Sequence, residues 1–157
     1  MAATTALMRA QQLASQAVER ALRPLGLSFA RYEALMLLSF SRTGSLPLSK
    51  VGERLLVHPT SVTNTVDKLE QQGLVRRDRH PSDRRTTLAT ITPDGRALAQ
   101  RATAVMGEVR FGMPLDDDDA EALVTLLTRL RAAGGDAPDA HVLRSVVSGG
   151  PAAQEVQ

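Results

Sequence analysis

The chain has 157 residues, 43% hydrophobic and 23% charged, with a formal net charge of +2 and no cysteine. That size and apolar content suit one core-forming domain and exclude compositional disorder. The missing thiols exclude disulfides, thiolate redox switches, Cys-ligated zinc and cysteine nucleophiles.

Aromatic residues are scarce and Ala and Leu abundant, which predicts a mainly α protein packed through aliphatic faces. Residues 4–25 carry Leu7, Ala10, Ala14, Val18 and Leu22 at helical spacing, closed by Pro24 and Gly26. Ser28 is an N-cap residue for a second helix over 28–41, with Phe29, Leu35, Met36 and Leu38 on its apolar side. A turn at 42–45 leads to a short extended piece, 46–48, in which Pro47 permits an edge position alone. Ser49 is read as the cap of a short helix over 50–56, broken at 57–60. Pro59 suits the first position of the next helix, 59–72, whose Val62, Val66 and Leu69 form an inward stripe and whose stop is Gly73. Two strands, 74–79 and 86–91, flank a polar connection at 80–85. Thr92-Pro93 starts a long helix to about residue 111, with Leu98, Ala102, Val105 and Val109 in register. Met113-Pro114 interrupts, Asp116 caps a last helix through 133, and residues 134–157 read as a weakly ordered tail with one turn of helix at 141–147.

Short strand, helix, turn, helix and hairpin over 46–92 make a winged helix-turn-helix. The second helix of such a pair fits the major groove of B-DNA and shows its first residues to base edges. Here those residues are Pro59, Thr60, Ser61, Thr63, Asn64 and, a turn later, Lys68. Taken alone, that polar face reads equally well as an ordinary solvated surface. The hairpin decides between the two readings. Of 19 basic residues, 17 are arginine, and Arg76, Arg77, Arg79, Arg84 and Arg85 stand together against Asp78 and Asp83. Such a charged ribbon repels itself unless an anion receives it, and Arg77, Asp83, Arg84 and Arg85 are assigned to the DNA-contacting set. Arg84 and Arg85 at the tip suit a narrow minor groove, with Asp83 beside them to hold a guanidinium in a fork-shaped pair.

The segments Leu69-Glu70-Gln71-Gln72-Gly73-Leu74-Val75, Asp83-Arg84-Arg85 and Ile91-Thr92-Pro93-Asp94-Gly95 together resemble the MarR family of bacterial transcriptional regulators. The resemblance spans residues 7–133 in element order and departs from the family pattern at Ile91, where Leu is usual, and at His58, where Ser or Asp is. It implies a single domain over 1–133, with a winged helix-turn-helix lobe at 28–95 and dimerisation helices at 4–27 and 96–133. It also implies that Arg85 is the minor-groove arginine, oriented by Asp83. A homodimer on double-stranded DNA follows from it, reading a pseudo-palindromic operator as a repressor. Members of that family bind small anionic or aromatic effectors; Arg9, Arg20, Arg23 and Arg31 lie on elements near such a pocket and could receive a carboxylate, though most of them read as solvated. Independently, apolar residues on several faces of the first and last helices select Leu7, Leu13, Val18, Val109, Phe111, Leu123, Leu127 and Leu130 for a two-fold interface.

Other chemistry finds little support. Asp116 to Asp119 read as helix capping rather than a metal site, and His58, His80 and His141 lack zinc spacing. With no phosphate loop or triad pattern, no catalytic residue, metal or cofactor is assigned. The longest apolar run, 32–40, contains Glu33 and is far too short to span a bilayer, and no secretion leader is evident. A cytoplasmic protein without membrane attachment is expected. The alternative function is a winged-helix module whose wing binds an acidic protein.

Overall fold

A computed structural model describes residues 1–55, 59–83 and 85–135, with Pro59 described through its backbone. Of the break expected at 57–60, Pro59 and Thr60 already belong to the next helix, while Leu56, Val57, His58, Arg84 and the tail beyond 135 lie outside the described residues. The chain divides into two compact units, Met1–Pro114 and Leu115–Gln157.

In the first unit, α1 (Ala2–Leu22) runs into a 3₁₀ turn, Arg23–Leu25, that ends at Gly26. Helix α2 (Phe29–Phe40) is capped as expected: the Ser28 hydroxyl accepts the Arg31 N–H. Glu19 of α1 accepts a second end-group, the Phe29 N–H, at 3.0 Å. Phe29 itself is exposed, and Tyr32, Ala34, Leu35, Leu37 and Leu38 are the buried side chains of α2. Strand β1 (Ser45–Pro47) passes directly into α3 (Leu48–Leu55). Ser49 therefore lies inside α3 rather than capping it, because the helix starts as soon as the ladder ends at Pro47.

Helix α4 (Pro59–Gln71) opens on its proline and buries Val62, Val66 and Leu69. Each of these contributes about 1.5–3 kcal/mol of apolar burial. The helix closes in a Schellman motif: Gly73 has φ +71°, its N–H reaches the Glu70 carbonyl, and the Leu74 N–H reaches that of Leu69. Strands β2 (Val75–Arg79) and β3 (Thr87–Ile91) form the wing. The antiparallel sheet has the order β1-β3-β2, with Pro47 opposite Leu88 on an edge strand as its missing N–H demands.

Thr92 starts α5 (Pro93–Glu108), its hydroxyl accepting the Gly95 N–H at 3.0 Å. The buried stripe of α5 is Gly95, Ala99, Ala102 and Met106; of the expected Leu98, Ala102, Val105 and Val109, Ala102 is buried, Leu98 and Val105 are half-buried and Val109 is exposed. Gly95 explains the rotation: a Cβ there would stand 2.0 Å from the Leu74 carbonyl oxygen. The face of closest approach is thus fixed at 95, and residues 99, 102 and 106 follow at helical spacing. The helix also ends earlier than expected. Arg110 and Phe111 take left-handed φ of 46° and 52°, and a 3₁₀ turn, Arg110–Gly112, replaces the last turn. Val18, expected at a two-fold interface, is packed in this unit's own core at 5% exposure, whereas Leu7, Leu13 and Val109 are exposed.

The second unit contributes α6 (Asp117–Ala133). The Asp116 side chain accepts the Asp119 N–H at 2.9 Å, and Asp117, Asp118 and Asp119 fill the first turn. Capping and the helix dipole account for these carboxylates. Leu126 and Leu130 are exposed; Leu123 and Leu127 are half-buried.

Gly95→Ala tests the close approach. Alanine alone would favour a helix by about 1 kcal/mol, but a Cβ against a backbone carbonyl has no rotamer by which to escape. We expect a net loss of at least about 2 kcal/mol in urea unfolding; an unchanged midpoint contradicts the contact.

Candidate nucleic-acid interface

The inward pull of Val62, Val66 and Leu69 decides what α4 shows to solvent. Thr60, Ser61, Thr63, Asn64 and Lys68 are all exposed on its outer side, and Pro59 begins its first turn. Hydroxyl and amide groups at the start of a helix, with its positive dipole end, suit phosphate oxygens and base edges alike.

The wing projects beside this helix. At its tip, the bonds of Asp83 among the described residues go to a backbone N–H and a hydroxyl. Its Oδ1 accepts the Arg85 backbone N–H at 3.0 Å, and its Oδ2 accepts the Thr86 hydroxyl at 2.6 Å. These bonds, the Thr86 hydroxyl first, hold the Asp83 carboxyl below the usual carboxylate range. The Thr86 N–H returns to the Asp83 carbonyl and the His80 N–H to the Thr86 carbonyl, each at 3.1 Å. Asp83 thus orients Arg85 through its backbone, as aspartate does in tight turns. The Arg85 side chain is exposed. His80 accepts the Ser82 N–H on Nδ1 at 3.3 Å, a second brace inside the loop.

The stem is tied across the sheet. Thr90 donates its hydroxyl proton to Asp78 Oδ2 at 2.7 Å, and Arg76 Nε donates to the same oxygen at 2.9 Å. Thr90 has one hydroxyl proton, so the 2.8 Å bond between Ser45 and Thr90 has Ser45 as donor. The Thr90 hydroxyl, then Arg76, lower the Asp78 carboxyl below its ordinary range. Arg79 is exposed at the end of β2.

Arg77 differs from the other described wing arginines, Arg76, Arg79 and Arg85, which are exposed. It is half-buried, ion-paired with Asp67 and, at 3.4 Å, with Glu70, and its Nη2 donates to the Thr63 carbonyl at 3.4 Å. Its backbone N–H donates to Glu70 Oε1 at 3.0 Å. Asp67 and Glu70 belong to the segment that carries the family resemblance but receive no role from it, and Thr86 and Thr90 receive none either. The first two carried a signal, two acids three residues apart on the helix preceding an arginine-bearing strand. The hydroxyls carried none.

Away from the wing, Arg20 and Arg23 line a shallow groove of about 370 Å³ on α1 with Ser15, Gln16 and Glu19. Arg31 instead bonds Ser28 and Gln72. No helix among the described residues is long and apolar enough to cross a membrane.

A helix-turn-helix with a basic hairpin beside its outward-facing second helix is the architecture of winged-helix DNA-binding regulators. The MarR family model matches residues 27–87. The chain is 33% identical over 110 residues to the organic hydroperoxide resistance transcriptional regulator of Bacillus subtilis, covering 68% of this chain and 74% of that protein. It is similar to Sco5413, a MarR family transcriptional regulator from Streptomyces coelicolor, with 48% identity and a TM-score of 0.80 over 88% of this chain and 97% of that one. It also resembles Sco3205, another MarR family transcriptional regulator from Streptomyces coelicolor, solved in complex with DNA, with 25% identity and a TM-score of 0.76 over 84% of each chain. The chain belongs to the MarR family, whose members are DNA-binding transcriptional regulators and not enzymes.

The tip geometry carries a pH dependence. A carboxylate depressed below its ordinary pKa of about 3.9 contributes tip stability above that pH and loses it as pH falls through the folded value. The Arg85 amide resonance is expected to titrate with a midpoint below about 3.9, and Asp83→Ala to abolish the transition. A midpoint at or above the ordinary value contradicts the Asp83 bonds.

Proposed function

We propose that this protein is a homodimeric, sequence-specific repressor acting on DNA in the cytoplasm, with a pseudo-palindromic operator read by two copies of α4 in successive major grooves. The observation that carries the reading is the pairing of an exposed Thr60, Ser61, Thr63, Asn64 face with an adjacent wing whose tip exposes Arg85. In this reading Pro59 and the first turn of α4 approach the backbone, Lys68 contacts phosphate, and Arg85 with Arg84 enters the minor groove. Asp83 sets the aim of Arg85. The similar Sco3205 was solved in complex with DNA, which supports DNA as the partner.

The exposed Leu7, Leu13, Val109 and Leu130 support a dimer, since a protomer that left them in water would forgo their burial. The paired arginines of the α1 groove support an anionic effector. A thermal-shift screen of aromatic acids and metabolite carboxylates checks this, with stabilisation by one class and its loss in Arg20→Ala expected.

Binding to the DNA flanking its own gene tests the reading. Arg85→Ala is expected to weaken binding and to lower the salt slope by about one ion-equivalent. Equal affinity across salt concentrations removes the wing from the interface. Substitutions at Ser61, Thr63 and Asn64 are expected to change base preference by about 1–3 kcal/mol each. A uniform weakening on every sequence confines those side chains to phosphate. A wild-type chain that shifts no duplex but captures an acidic protein favours the interaction-module alternative.

A further inference from the structure

In β2, strand alternation puts Val75, Arg77 and Arg79 on one face, and the register sets Val75 against Ile91 and Arg77 against Ala89, both buried partners. Arg77 therefore leaves the sheet on the side that covers the core, not on the outer side. There it meets α4. One guanidinium engages Asp67, Glu70 and the Thr63 carbonyl, three groups spread over two turns of the helix. Its side chain is 27% exposed, against 68% for Arg76.

The link runs in both directions. β2 is an edge strand, whose outward N–H groups have no neighbouring strand to bond. The Arg77 N–H is supplied instead by Glu70 Oε1 at 3.0 Å. A helix carboxylate thus closes the strand edge while the strand guanidinium holds the helix carboxylates. The wing and α4 are joined at the carbonyl of Thr63, beside the exposed face of Thr63 and Asn64. Charge matters as much as position. Asp67 and Glu70 would otherwise set two carboxylates on a helix that approaches a polyanion, and Arg77 offsets one of those charges.

We infer that Arg77 is a positioning residue: it fixes the angle between the wing and α4 and screens the acids of that helix, and it does not grip a phosphate. This rests on the DNA-binding reading above and takes Arg77 out of the set of direct DNA contacts expected from sequence. The distance between the α4 face and the Arg85 tip then depends on a bridge that touches no nucleotide.

A charge swap tests it. Arg77→Glu is expected to weaken operator binding at least tenfold and to speed hydrogen exchange of the wing amides 75–79 in the DNA-free protein, with α2 and α5 unchanged. Glu70→Arg alone breaks the bridge from the other side and is expected to weaken binding as well. The double variant, Arg77→Glu with Glu70→Arg, restores the pair with the same net charge. It is expected to bind at least tenfold tighter than the product of the two single effects, with wing exchange slower than in Arg77→Glu and an unchanged salt slope. A double variant that shows no coupling and a slope lower by about one ion-equivalent assigns Arg77 to phosphate and overturns the inference. Glu70→Arg alone tightening binding overturns it too. A wild-type chain that binds no duplex sinks the DNA-binding reading instead, and the exchange measurement still decides the bridge: wing protection unaltered in Arg77→Glu refutes it.

Discussion

The backbone of Leu74, through its N–H and its carbonyl, is the point on which the DNA-binding lobe turns. Its N–H closes α4 onto the Leu69 carbonyl, and its carbonyl accepts the Thr92 N–H at 3.0 Å. The Thr92 hydroxyl meanwhile reaches the Gly73 carbonyl at 2.8 Å, and Gly95 packs against the Leu74 oxygen at a distance no side chain would allow. The end of α4, the start of β2 and the start of α5 are thereby set by one backbone unit. Hydrogen bonds of this kind are worth little singly, yet a residue shared by three elements leaves none of them free to rotate. The Leu-Val and Thr-x-x-Gly segments of the family pattern have a physical meaning here: they are the two sides of this junction.

Outward from the junction, apolar burial and charge divide the work. Val62, Val66 and Leu69 hold α4 by its inner stripe, which leaves the polar residues between them facing solvent. The wing lies beside them and is rigid through its carboxylates rather than in spite of them. Asp78 gathers Thr90 and Arg76, and Asp83 gathers the Arg85 amide and the Thr86 hydroxyl. Each acid accepts bonds from the hairpin's own groups, and the exposed Arg85 is aimed by a turn instead of being neutralised by an ion pair. A basic surface with preorganised backbone lowers the entropy lost when a flexible ribbon is ordered on DNA.

Apolar character alone does not fix which face of a helix is buried. The inner face of α5 was displaced by one position, because Leu98 and Val105 look more apolar than the Gly95 and Ala99 that face inward. Hydrophobicity marks what can be buried, whereas close approach to a neighbouring carbonyl marks what must be small. Val18 was placed at an interface although α1 buries it in its own unit.

The linear order of residues was enough to determine the elements, the caps at Ser28, Thr92 and Asp116, the stop at Gly73, and the inward stripe of α4. These depend on contacts within a few positions of chain, where spacing and φ preferences act directly. It was also enough for the winged helix-turn-helix and its family, because several local signals occur in one order. Tertiary structure alone decided which arginine faces out and which is clamped, how α5 is rotated, and which group each wing carboxylate holds. Those outcomes depend on partners brought together across the fold, Arg77 with Asp67 and Glu70, Gly95 with Leu74, Asp78 with Thr90. A side chain's charge is written in the sequence, but the neighbour that satisfies it is chosen by packing.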